Sequence, residues 1–236
     1  MHSKTPPEIE QFLKWLLKFL LHFETAIRTL EADKTPTLNL VLPVIKDLEN
    51  SLIAAAESDD HLKASLGTSA LKVLEYKKPT MIHETHAFAL ILDPLNNRKI
   101  SQLEDYKTYQ RKFEAKVKSI SDLANVDDDR NENYNNPFID AEYLTDKNYE
   151  IELKLYYQEK PDAENYDLLD WWRKNQNRFP NLAKLASQVL SIPASSASVE
   201  RLFSTLNLMT PAERSSICPE TLKNLILYRA IDLYEK

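Results

Sequence analysis

The chain has 236 residues, 43% of them apolar, enough for one large domain or two small ones. Its one glycine, Gly67, leaves no glycine-rich phosphate cradle, which excludes nucleotide binding of the P-loop or Rossmann kind, and 36 acids against 30 bases (net charge −6) disfavour an isolated binder of a phosphate backbone. A single cysteine, Cys218, excludes an internal disulfide and any cysteine-based zinc site; with no bilayer-length apolar run and no signal-peptide pattern at the start, the expectation is a soluble intracellular protein.

Met1–Pro7 is a polar leader. From Glu8 to about Leu30 the residues Ile9, Phe12, Leu13, Leu16, Leu17, Leu20 and Phe23 recur at helical spacing, with Trp15 and Phe19 widening a stripe whose expected role is core packing. Asp33–Pro36 breaks the pattern. A second helix is expected from Thr37 to Glu57, with Leu38, Val41, Leu42, Ile45, Leu48 and Leu52 on one face; Pro43 either kinks it or marks its true first turn. A third runs from His61 to Tyr76, with Gly67 a weak point in its middle. After Pro79, an apolar helix over Met81–Leu92 stops at Asp93-Pro94. Ser101-Gln-Leu-Glu104 has the form of a capping box opening a long helix to about Ala124.

Asn125–Pro137 is charged, Asn-rich and aperiodic, and reads as a linker between a helical region at 1–124 and a second at 138–236. Beyond it, helices are expected over Tyr149–Tyr157, over Tyr166–Gln176 with Leu168, Leu169 and Trp172 on one side, and from Asn181, where Leu182, Leu185, Ala186, Val189 and Leu190 make the cleanest stripe in the protein. Pro193 ends that helix. Ser195, Ser196 and Ser198 are all N-cap candidates for the next, whose apolar residues are Val199, Leu202, Phe203 and Leu206. A last helix starts near Pro219 and carries Leu222, Leu225, Ile226, Tyr228 and Leu233. No alternating strand pattern stands out, so the fold class is mainly α.

Local constellations give little chemistry. His83-Glu84-Thr85-His86 spaces its histidines at i, i+3 where the zinc-protease helix needs i, i+4, so no metal is expected there. Asp129, Asn131, Asn133 and Asp140 follow calcium-loop spacing, but Tyr134 and Asp140 stand where such a loop wants Gly and a bidentate Glu. Cys218 beside Pro219 reads as a helix-start residue, not a nucleophile. The aromatics lie among acids rather than among Lys and Arg, against a base-stacking platform. Glu200, in a helical first turn, is on physics alone an ordinary dipole-favoured acid.

The order and spacing of D-L-L-D-W-W (Asp167–Trp172), R-F-P (Arg178–Pro180), L-A-K-L-A (Leu182–Ala186), I-P-A-S-S-A-S-V-E-R-L-F-S (Ile192–Ser204) and Arg214 resemble the C-terminal region of hAT-superfamily transposases, their dimerisation region, over roughly Glu152–Lys236. E-L-K-L-Y-Y (Glu152–Tyr157) echoes a family phrase, as does P-T-L-N-L-V-L-P-V-I near residue 40; A-L-I-L-D-P resembles the L-D-P-R phrase of the family's inserted helical domain, with Leu95 in place of Arg. Asn207 for Gly and Ser216 for a second basic residue are further departures.

The resemblance implies helices like the insertion domain and C-terminal region of an RNase H-like transposase, without its sheet-bearing catalytic half. It makes Glu200 the match to the last member of an Asp-Asp-Glu triad that binds two divalent cations, Mg or Mn, with the two aspartates and the DNA-binding finger lying upstream of what this chain contains. It marks Pro180, Pro193, Ser198, Ser204 and Arg214 as motif positions, and Trp171, Trp172, Phe179, Leu182, Leu185, Ala186, Leu190, Arg201, Phe203, Leu222, Leu225 and Ile226 as expected interface residues. The implied function is that of a truncated or domesticated transposase-derived protein acting through dimerisation in the nucleus. Its partner would be itself or a related transposase-derived chain, with DNA met only indirectly, no membrane, no small-molecule ligand and no cofactor for this chain alone. The alternative is the C-terminal part of an active transposase supplying Glu200 for metal-dependent strand cleavage and transfer.

Overall fold

The computed structural model describes residues 6–128, 148–209 and 218–234, and among these residues every regular element is a helix. The mainly α class follows. In chain order the α-helices are α1 (Pro7–Leu30), α2 (Val41–Ala56), α3 (His61–Met81), α4 (Glu84–Ile91), α5 (Tyr106–Asp128), α6 (Asn148–Gln158), α7 (Leu168–Asn175), α8 (Pro180–Val189), α9 (Ala197–Met209) and α10 (Pro219–Tyr234), with 3₁₀ turns at Leu38–Leu40 and Asn97–Gln102.

Helices α1, α2 and α3 share a small core in which Phe19, Leu52 and Ala55 are buried, flanked by Trp15, Phe23, Leu48, Leu66 and Leu74. Pro43 sits in the first turn of α2, where its missing N–H has no intrahelical acceptor, so the helix starts there without a kink. Gly67 lies buried inside α3 as a contact rather than a weakness. A Cβ built on it would meet the backbone N of Ala56 at 2.4 Å and the carbonyl carbon of Ala55 at 2.7 Å, so only glycine lets α3 approach α2 this closely. Asp60 caps α3 by accepting from the N–H groups of Leu62 and Lys63.

Four expectations need correction. The α1 stripe is only half used: Phe19 is buried, but Ile9, Leu13, Leu17 and Leu20 are exposed, because α2 and α3 cover one side of an apolar arc wider than a single helix contact needs. Helix α3 continues through Pro79 to Met81 instead of breaking before it, and α4 begins only at Glu84. Ser101 and Glu104 form no capping box: the Ser101 hydroxyl donates to the Arg98 carbonyl within the 3₁₀ turn, and α5 starts at Tyr106. Helix α5 also runs to Asp128, four residues beyond the expected Ala124. Residues 129–137 of the expected linker, and the calcium-like spacing they carry, lie outside the described residues.

The larger core is organised on α4. Ala87 through Leu92 are all buried, as an apolar run with no polar side must be when helices surround it. Leu38, Val41 and Ile45 pack there from one part of the chain; Phe113 and Val117 from α5; Leu153, Tyr156, Leu168, Trp172, Phe179, Leu182, Leu185, Val189 and Leu190 from the C-terminal part. Residues from both sides of the 125–137 stretch therefore share one core.

Candidate functional site

The C-terminal helices are fastened to the end of α4. A helix leaves its last carbonyls without intrahelical partners, and two of these are taken by aromatic donors. The Tyr156 hydroxyl donates to the Ile91 carbonyl at 2.7 Å, and the Trp172 indole N–H donates to the Leu92 carbonyl at 2.9 Å. Tyr156 stacks on Trp172 with ring centroids 5.6 Å apart and meets Phe179 edge-on, while Trp171 stacks on Phe179. Burial pushes the Tyr156 hydroxyl well above its ordinary pKa, so it stays a donor.

Asp93, the acid of the A-L-I-L-D-P phrase, is buried directly after this junction. Its carboxylate accepts from Asn39 Nδ2 (2.9 Å), Asn96 Nδ2 (2.8 Å), the Leu95 N–H (3.1 Å) and the Tyr166 hydroxyl (2.9 Å). Four donors from three segments make it a structural clamp that ties the entry to α2 and the α6–α7 connection to the end of α4. Burial first, and the neighbouring Asp93 carboxylate second, raise the Tyr166 hydroxyl above its ordinary pKa.

Glu152 is the second buried acid. One carboxylate oxygen accepts from the Leu182 N–H at 2.7 Å and the other from Asn181 Nδ2 at 2.9 Å and, more weakly, the Asn181 N–H at 3.4 Å. It thus caps the α8 N-terminus, where the orphan N–H groups and the helix dipole favour a negative charge. Burial nevertheless wins, raising its pKa against these lowering contacts. Neither acid was singled out for a role by sequence reasoning. A signal for Glu152 exists: it lies four residues before Tyr156, on the buried face of α6 where an acid needs a partner.

The connection from α8 to α9 carries the serine-rich phrase. Ala194 N–H donates to Thr37 Oγ1 at 3.0 Å, and Ser195 Oγ accepts from the Ala197 N–H at 3.1 Å. Ser196 Oγ donates to Glu200 Oε1 at 2.6 Å, and its carbonyl accepts the Glu200 N–H, so of the three serines Ser196 occupies the helix-start position. Arg201 reaches back to the turn after α1, donating to the Glu31 carbonyl (2.9 Å) and pairing with Asp33 Oδ1 (2.6 Å). Between that turn and α7, α8 and the serine phrase lies a cleft of about 550 Å³ floored by Trp172, Ala186 and Leu190 and bordered by Lys34, Arg173 and Pro193.

The sequence-predicted residues divide accordingly. Trp172, Phe179, Leu182, Leu185, Ala186 and Leu190 are buried in the chain's own core, and Trp171 is half-buried beside them, so none presents a free apolar face. Of the expected apolar face of α9, Phe203 is 58% exposed, Val199 is exposed as well and Leu202 is half-buried; the side chain of Leu206 lies outside the described residues. On α10, Ile226 is half-buried and Leu227, Tyr228 and Ile231 are exposed; the side chains of Leu222 and Leu225 lie outside the described residues. Glu200, Arg201 and Ser204 are exposed, Ser198 is half-buried at the cleft, and Pro180 opens α8. Arg214 lies outside the described residues. His83 and His86 make a helix start: the His83 N–H donates to His86 Nδ1 at 3.0 Å. Among the described residues no three His, Cys, Asp or Glu side chains gather as a metal site, and no helix is long and apolar enough to cross a membrane. The lone Glu200 carboxylate, engaged by Ser196, does not fit the clustered carboxylates that two cations require.

Residues 152–230 match the family model of the hAT family C-terminal dimerisation region. The zinc finger BED domain-containing protein DAYSLEEPER of Arabidopsis thaliana is 25% identical over 251 residues, covering 96% of this chain and 35% of that protein. The transposable element Hobo transposase of Drosophila melanogaster is 42% identical over 53 residues, 22% of this chain and 8% of that protein. RICESLEEPER 3 of Oryza sativa subsp. japonica, another zinc finger BED domain-containing protein, is 36% identical over 80 residues, 31% of this chain and 11% of that protein. The chain thus spans about a third of the length of DAYSLEEPER.

Proposed function

Because residues 152–230 match the hAT family C-terminal dimerisation region and the chain's relatives are BED zinc-finger and hAT transposase proteins, we propose that this transposase-related chain acts by self-association through α9 and α10. One observation carries the reading. Val199, Phe203, Leu227, Tyr228 and Ile231 are large apolar side chains left exposed on α9 and α10, within or next to the matched region, whereas the exposed Leu155, Leu169 and Ile192 stand singly on other segments. Apolar surface of this kind is what a partner copy would remove from water. The association is that of a domesticated transposase working in the nucleus, with DNA contact left to other segments or subunits. Its binding partner is a second copy or a related transposase-derived chain.

The test is solution mass by light scattering across a concentration series. The intact chain is expected to dimerise, and Phe203→Asp to lower the dimer fraction at least tenfold while leaving helicity and melting temperature unchanged. A chain that stays monomeric at high micromolar concentration overturns the proposal.

A second reading rests on the match of Glu200 to the family's catalytic acid. Its carboxylate is exposed at the start of α9 and so open to a partner that supplies further carboxylates. Under that reading, purified chain mixed with an aspartate-bearing transposase segment nicks DNA with Mg or Mn present, and Glu200→Gln abolishes the nicking. Nicking that survives Glu200→Gln, or none in the mixture, removes it.

A further inference from the structure

We propose that the outer face of α1 is a second self-association surface, on which another copy of this chain packs its own α1 antiparallel. It goes beyond the C-terminal reading, since α1 lies outside residues 152–230. Trp15, Phe19 and Phe23 turn into the small core, and a second apolar stripe runs beside them along the helix: Ile9, Leu13, Leu17, Leu20, Leu21 and Ile27, each 46–64% exposed. Leu13, Leu20 and Ile27 recur every seven residues on this stripe, with Ile9, Leu17 and Leu21 beside them, while Leu16 and Phe23 are half-buried against the small core at its edge. A lone surface helix has no need of an apolar arc this broad.

Charge chooses the occupant and its direction. The stripe is flanked by two ion pairs of the same order, Glu10–Lys14 and Glu24–Arg28. A parallel copy in register faces this flank with the opposite flank of the helix, at Phe12, Phe19 and Ala26, which carries no counter-charge. An antiparallel copy, with its two-fold near residue 18, brings Ile27 level with Ile9 of the copy and Leu20 level with Leu16, whose half-buried side chain also packs on the small core. It also sets Glu10 within about two residues of the copy's Arg28, and Lys14 within the same distance of its Glu24, which long side chains span. The face is self-complementary in both apolar pattern and sign, as a two-fold contact requires.

Two charge-swapped full chains test this. Glu10→Lys with Glu24→Lys makes the flank wholly positive; Lys14→Glu with Arg28→Glu makes it wholly negative. Each alone is expected to lose one association step relative to the unsubstituted chain. An equimolar mixture is expected to restore that step as a mixed species in native mass spectrometry. Circular dichroism should be unchanged, all four side chains being exposed; if either swap disturbs folding, Leu17→Lys replaces it, with the same loss expected. Association unchanged in both swaps, or no mixed species on combination, overturns the proposal. Phe203→Asp in parallel reports the C-terminal surface separately. A mass change there with none in the α1 swaps refutes the α1 contact and leaves the C-terminal reading standing, and the converse does the reverse.

Discussion

Trp172 donates its indole N–H to the carbonyl of Leu92 across 80 positions of sequence, closing the carbonyl of the residue that caps α4 with a side chain from α7. Tyr156 does the same for Ile91 from α6. These two bonds decide where the C-terminal helices sit, because a buried carbonyl at a helix end must be met by a donor or carry a penalty.

Trp172→Phe is expected to destabilise the fold by about 2–4 kcal/mol, combining the unsatisfied Leu92 carbonyl with the lost ring volume. Tyr156→Phe, which removes only the hydroxyl, is expected to cost about 1–2 kcal/mol. Urea melts of both variants and of the pair check this; because the rings stack, the double variant should fall short of the sum.

Glu152 should leave a signature in the pH dependence of stability. Burial raises its folded pKa above the usual value, so between that value and the raised one the folded chain holds a proton the unfolded chain has released. Stability attributable to this group therefore falls as pH rises from about 4.5 through the folded pKa, then levels. Subtracting the profile of Glu152→Gln from that of the unsubstituted chain should show this descending limb. Glu152→Ala, which strips the α8 cap, is expected to cost about 1–3 kcal/mol at neutral pH.

His86 works in the opposite sense. Its half-buried ring is held below the ordinary imidazole pKa, first by burial, and Nδ1 accepts the His83 N–H only while unprotonated. Between the lowered folded pKa and the ordinary value near 6.5, the unfolded chain binds more protons. Stability is thus expected to decline as pH drops below about 6.5, and a chain carrying His86→Gln should lose that part of the decline in thermal melts.

Gly67→Ala is expected to destabilise by about 1–3 kcal/mol, even though alanine is the better helix former by about 1 kcal/mol. The added methyl group would meet backbone atoms of Ala55 and Ala56, which move only with the helix that carries them. Denaturant midpoints give the answer directly, and an unchanged midpoint would mean that α2 and α3 separate freely.

Helical periodicity was enough to locate α1, α2, α6, α8 and α10 closely, because an amphipathic repeat and a terminal proline are local properties. It failed at Ser101–Glu104, where a capping signature was present but the chain preferred a 3₁₀ turn feeding α5 from Tyr106. Covering of a stripe is not local. Leu182 and Leu185 are enclosed, whereas Leu13 and Phe203, with equally good patterns, are left in water.

By itself the sequence determined the mainly α class and the ordered phrases that match the hAT C-terminal dimerisation region. Only the tertiary structure decided which of those phrases are internal. It turned the tryptophan pair and the L-A-K-L-A stripe into core, made Asp93 and Glu152 clamps, and left Val199, Phe203, Leu227, Tyr228, Ile231 and the outer face of α1 exposed. The reason is physical: periodicity states that a face is apolar, but burial and hydrogen-bond satisfaction depend on segments brought together from distant parts of the chain.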